Sequence, residues 1–193
     1  MSEPECDLFD GMVGPTPRIF RSQIHSDHRG HFAEVINRQE VPVPESVAQI
    51  NHSHSVEGVI RGMHWQRRPY DVSKYVTCLA GAIEDVVVDL RKSSKTFGQY
   101  KAYHLLGIAK AGDRYSLWVP EGFAHGFLTL SKTADVMYLQ SGVYHPEAEC
   151  SLSGCDPAVG ISWVSDMAFP FILSDKDKNA PLLSELPDAD LFL

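Results

Sequence analysis

An all-β sandwich or barrel is the fold class this sequence predicts, on three observations. Runs of strand length, rich in Val, Leu and Tyr, dominate the middle of the 193-residue chain. Clusters of Gly, Pro, Ser or Asp separate those runs at short spacing, as in strands joined by turns. No pattern before the C-terminus sustains a helix of more than about three turns. Taken in order, "GVIRGMHWQ" (58–66) is strand-like yet carries Arg61 and His64, and "KYVTCLAG" (74–81) and "AIEDVVVDLR" (82–91) follow it. "KAYHLLG" (101–107), "YSLWVPEG" (115–122), "GFLTLS" (126–131) and "DVMYLQSG" (135–142) continue the series. Two prolines deny "NRQEVPVPESV" (37–47) a long helix, whereas "SDKDKNAPLLSEL" (174–186) can form one or two short helical turns near the C-terminus.

The bulk properties narrow the functional classes. A chain of this length with 44% hydrophobic residues can bury one core and is short for two, so 1–193 reads as a single domain with terminal extensions. A net charge of -8 argues against nucleic acid as a partner, while leaving room for a local basic pocket that holds a small anion. No run approaches the roughly 20 apolar residues that span a bilayer, and "MSEPECDLFDG" lacks the basic and apolar regions of a signal peptide, so a cytoplasmic protein without a membrane partner is expected. The four cysteines form no CxxC pair. Free thiols are expected, with Cys150 and Cys155 on a loop.

Two histidine motifs give the barrel a pocket. Gly58 followed after five residues by His64, and Pro120-x-Gly122-x-x-His125 in "PEGFAH", match the two motifs of a cupin-type jelly roll, roughly sixty residues apart. Inward side chains alternate along such strands, and the barrel mouth is a natural binding site. Metal-binding cupins need a second histidine two residues after the first, where this chain has Gln66, a poor ligand for zinc, iron or manganese. No metal is therefore expected. "HSHSVE", with His52, His54 and Glu57, is a second ligand-like cluster, expected on the loop entering the strand. Arg61, Lys74, His125 and Tyr138 fall in strands beside the motifs, and burying so many polar groups costs several kcal/mol unless a ligand satisfies them. An anionic or oxygen-rich ligand is implied.

"RGMHWQ", "KYVTCLAGAIEDVVVDLRKSSKTFG", "WVPEGFAHGFLTLS", "GCDPAVGISW" and "LSDKD" together resemble the dTDP-4-dehydrorhamnose 3,5-epimerase family, in order and spacing, from about residue 18 to about residue 183. The resemblance implies an isomerase that acts on a nucleotide-linked 4-keto sugar. The ketone acidifies the hydrogens at C3 and C5, so a base, an acid on the other face and a stabiliser of the enolate oxygen suffice, and the resemblance implies no cofactor. By this resemblance His64 is the base, Asp177 the carboxylate that orients it, Tyr138 the proton donor and Lys74 a cation near the sugar oxygens. Arg29, Glu34, Gln49, Asn51, Arg61, Gln66, His125, Glu149 and Lys176 form the implied substrate-binding set, with Tyr144 stacking on the base. A homodimer with composite sites is implied, because part of the N-terminal segment crosses between subunits in the family. The chain departs from the family pattern at Leu139, where lysine is usual, around "QIHSD", which lacks an aromatic, and at Trp65, where tyrosine is common. These departures bear on substrate choice and on action at one carbon versus two. A non-catalytic sugar-nucleotide binder and a metal-dependent cupin are the competing classes.

Overall fold

A computed structural model describes residues 8–9, 14–37, 39, 41, 47–107, 112–164 and 170–193. Its described strands are β1 (Arg18–Asp27), β2 (Gly30–Ala33), β3 (Gln49–Val56), β4 (Ile60–Gln66), β5 (Lys74–Ala80), β6 (Ala82–Asp89), β7 (Tyr100–Leu106), β8 (Asp113–Val119), β9 (Phe123–Thr129), β10 (Thr133–Gln140) and β11 (Glu149–Ser151). They form two antiparallel sheets, a six-stranded one in the order β2-β1-β8-β5-β10-β3 and a five-stranded one in the order β11-β4-β9-β6-β7. The all-β jelly-roll prediction holds. The expected short turns near the C-terminus are the helix α1 (Asp175–Lys178) and two 3-10 turns, Leu183–Glu185 and Asp188–Asp190.

Strand parity sorts the side chains into layers. On β6, Ile83 and Val87 join Val76, Cys78, Leu117, Phe123 and Phe127 between the two sheets. The intervening Val86 and Val88 face the other way and pack with Met63, Trp65, Leu152, Trp163 and Phe192, so the C-terminal segment covers the outer face of the five-stranded sheet. A strand buried on both faces reads as a continuous apolar run, which is what "VVV" supplies. Each fully buried Val, Ile or Leu contributes roughly 1.5–3 kcal/mol. The six-stranded sheet carries a smaller outer cluster of Val41, Tyr75 and Leu139.

Several local expectations are corrected. His52 and His54 lie within β3, not on a loop before it, and Cys150 lies buried in β11. "QINHSHSV" escapes a hydrophobic pattern search because one face of this edge strand looks into a polar pocket and the other into solvent. The proline-rich stretch 37–47 falls largely outside the described residues. Among the described residues no helix is long and apolar enough to cross a membrane.

A bulge in β4 matters most for the site. Arg61 pairs with Phe127 and His64 with His125, so three steps along β4 match two along β9. One extra residue reverses the alternation that follows it. Arg61 and His64 therefore both face the inside, although their spacing in a regular strand would place them on opposite faces. The bulge requires Gly62, whose φ is +117° and where an added Cβ would stand 2.6 Å from the Gly126 Cα.

Candidate active site

Two cavities share His64, Lys74 and Tyr138 and so form one cleft between the sheets. The inner part, about 470 Å³, is also lined by Arg61, His125, Phe127, Ile172, Leu173 and Asp177. The outer part, about 330 Å³, adds Gln49, Asn51, Gln140, Tyr144 and Glu149. His64 stands on the five-stranded sheet and Tyr138 on the six-stranded sheet, so the two line opposite walls.

The His64 imidazole bonds through Nε2 to Asp177 Oδ1 at 2.6 Å. Asp177 is held in turn: Ser174, the N-cap of α1, donates its hydroxyl to Oδ2 at 2.8 Å and accepts the Asp177 amide at 3.1 Å. Burial pushes the Asp177 carboxyl up, but the bonds from His64 and Ser174 and the charge of Lys176 outweigh it and hold the group below its ordinary range. An ionised carboxylate only accepts, so His64 Nε2 carries a proton and Nδ1 is the nitrogen that can serve as base. Burial raises the Tyr138 phenol, with Glu149 adding to the shift and Arg61 opposing it, which keeps its proton in place at neutral pH. Lys74 donates to the His64 carbonyl at 3.3 Å, and burial lowers its ammonium to about 8.

The outer cavity is built from amides and one acid cluster. Gln49 accepts the Tyr144 amide at 2.8 Å and donates to Asn51 at 2.8 Å, and Asn51 donates to Gln140 at 2.6 Å. Glu149 takes Lys176 at 2.6 Å and the Tyr144 hydroxyl at 2.7 Å. The bond to Glu149 pushes the Tyr144 phenol up to about 12.

Of the residues predicted from sequence, His64, Asp177, Tyr138, Lys74, Arg61, His125, Gln49, Asn51, Tyr144 and Glu149 line the cleft, and Lys176 reaches it through Glu149. Gln66 lines it too, but its amide donates to the Tyr70 and Val143 carbonyls and accepts the His145 amide. It supports the loop that carries Tyr144. Arg29 and Glu34 are not brought in: Arg29 bonds Asp27 at 2.6 Å beside a cavity at the β1–β2 turn, and Glu34 lines a third cavity with Phe20 and Tyr75. Of the supposed departures in the pocket, Leu139 lies elsewhere, facing the outer cluster opposite in parity to Tyr138. Trp65 lines the outer cavity, but its side chain packs in the core on the other face of the five-stranded sheet and its indole donates to the Asp190 carbonyl at 2.7 Å. His52 and His54 share Asp135 Oδ1 on the exterior. Asp85 and Ser174 were missed. The acidic residue at the inward parity of Ile83-x-Asp85-x-Val87 and the Ser174-x-x-Asp177 capping pattern were the available signals.

A histidine–aspartate pair facing a protonated tyrosine across a cation-lined cleft defines a proton-transfer isomerase on a jelly-roll scaffold. The family model for dTDP-4-dehydrorhamnose 3,5-epimerase matches residues 15–185. The chain is 39% identical over 183 residues to the dTDP-4-dehydrorhamnose 3,5-epimerase of Shigella flexneri, covering 93% of this chain and 96% of that one. A dTDP-6-deoxy-D-glucose-3,5-epimerase of Legionella pneumophila, crystallised with dTDP-4-keto-L-rhamnose, is similar with a TM-score of 0.83 and 36% identity, over 91% of this chain and 92% of that one. A 4-keto-6-deoxy sugar epimerase from the novobiocin gene cluster of Streptomyces spheroides gives the same TM-score and identity over 94% and 89%. The chain belongs to the dTDP-4-dehydrorhamnose 3,5-epimerase family and is an isomerase of the epimerase type.

Proposed function

We propose that the protein epimerises a dTDP-linked 4-keto-6-deoxy sugar at C3, C5 or both. His64 removes the acidified ring proton, and Asp177 balances the imidazolium that results. Lys74 meets the enolate oxygen at C4 with His125 beside it in the cleft, and Tyr138 returns a proton from the opposite face. The observation that carries this reading is the His64–Asp177 pair at 2.6 Å with Tyr138 on the other sheet of the same cleft. The apolar stretch of Val59, Phe127, Ile172 and Leu173 suits the C6 methyl, and the outer cavity with Tyr144 suits the nucleotide end.

The substrate is tested by incubating chelator-treated protein with dTDP-4-keto-6-deoxyglucose in deuterated water and reading exchange at each carbon by NMR. Exchange at C3, C5 or both with a new diastereomer is expected. Activity that vanishes with chelation and returns with a divalent ion would instead favour the metal-dependent class.

The assembly we infer is a homodimer in which Arg29 and Glu34 of one protomer complete the cleft of the other. The separation of these residues from the cleft within one chain supports it. Mixing an Arg29→Ala chain with a His64→Asn chain is expected to restore activity through hybrid dimers, and proven exchange without recovery would place both residues outside the partner's site. Cys78, Cys150 and Cys155 are free thiols, which suits a cytoplasmic location.

A further inference from the structure

His125 has a buried partner that the proton-transfer scheme does not use. Its Nε2 lies 2.9 and 3.0 Å from the two carboxylate oxygens of Asp85, and the Asp85 side chain is wholly inaccessible to solvent. Asp85 sits at the inward parity of β6, diagonal to His125 in the β6–β9 ladder, where Phe127 is its direct partner. His125 is in turn the register partner of His64. A buried carboxylate without compensation is costly, and its retention among Ile83, Val87 and Phe127 calls for an electrostatic role.

We propose that Asp85 is a positioning residue for epimerisation, fixing the orientation and the Nε2–H form of His125 beside the cleft and keeping a negative charge behind Lys74, so that Lys74 presents a donor where the enolate oxygen develops. The inference rests on the proton-transfer reading above. An ionised carboxylate accepts only, so the His125 proton toward it is fixed on Nε2. The charge of Asp85 also opposes the loss of the Lys74 ammonium to burial. The other titratable and charged groups that share the cleft with Lys74 are Arg61 and His64 from β4, His125 from β9, Tyr138 from β10, Glu149 from β11 and Asp177 and Lys176 from α1. Glu149 acts in the same sense as Asp85 and Lys176 against it. Removing Asp85 therefore moves the Lys74 titration to lower pH, and the activity that depends on the ammonium falls off earlier on the alkaline side.

Nitrogen NMR of ¹⁵N-histidine protein and carbon NMR of ¹³C-lysine protein read this without turnover. The wild type is expected to show the Nε2–H form of His125, and a wild-type Nδ1–H tautomer would overturn the proposal without any variant. In Asp85→Asn the Lys74 titration should move to lower pH. Its kcat should drop about 10- to 100-fold, by analogy with loss of the outer carboxylate partner of a metal-bound histidine. The loss should grow from pH 6.5 to pH 8.5, and Asp85→Glu should restore part of the Lys74 titration. An equal loss at every pH with an unmoved Lys74 titration would make Asp85 merely structural. If neither protein epimerises the sugar but the tautomer and titration behave as expected, the substrate reading fails and the Asp85 frame stands.

Discussion

Two histidine–aspartate pairs stand side by side in this barrel, and they differ in depth and in the origin of their acid. The His64 side chain is 27% exposed, and Asp177 reaches it from α1, 113 residues away in sequence. The His125 side chain is 8% exposed, and Asp85 comes from the adjoining strand at 0%. Similar chemistry thus has two surroundings. The outer pair has an open edge toward the cleft, where a ring can take a proton from a substrate. The deep pair is enclosed by the sheet ladder and serves as a fixed electrostatic frame.

Breaking the outer pair is expected to have the largest effect. His64→Asn should abolish both deuterium exchange and product, by about 100- to 10,000-fold, as loss of a general base does. Near-normal exchange in that variant would move the base elsewhere and erase the distinction between the pairs. Tyr138→Phe comes next: exchange at C3 or C5 should persist while inverted product falls at least about 100-fold, measured in the same NMR assay. Equal loss of exchange and product would mean that the phenol acts in the first proton transfer as well.

Asp177→Asn should fall below both, about 10- to 100-fold in kcat, because it leaves a base that is present but poorly held. This variant also has a stability signature. The Asp177 pKa is lowered in the folded state, so its contribution is full above the unfolded value near 3.9 and is lost as pH falls through the folded value. The stability gap between wild type and Asp177→Asn, followed by urea unfolding, should therefore narrow below about pH 4. A gap that widened in acid would contradict an ionised, paired Asp177. The smallest effect on catalysis belongs to Leu139→Ala, on the outer face of the sheet that carries Tyr138. Its kcat and KM should match wild type while stability drops about 2–3 kcal/mol. A changed KM would return residue 139 to the pocket.

By itself the sequence determined the layered all-β fold, the two motif histidines and the polar character of the barrel interior. Each of these is written in short-range alternation and turn spacing, which are properties of a few consecutive residues. The parity of Leu139 and Trp65 was legible in the same way, since each neighbours an inward residue. Tyr138 stood out only as one of several polar groups in strands beside the motifs, and the roles of Asp177 and Tyr144 carried no local signal apart from the resemblance to a family, because a surface acid or a strand aromatic looks the same wherever it stands. Tertiary structure alone decided that the Gly62 bulge turns Arg61 and His64 to one side, and that α1 brings Asp177 to His64. It also decided that Gln66 serves the Tyr144 loop, and that Arg29 and Glu34 lie apart from the cleft of their own chain. These outcomes depend on which strands pair and on contacts between distant segments. No two-residue or four-residue period encodes them, since their free energy arises only when the sheets close on one another.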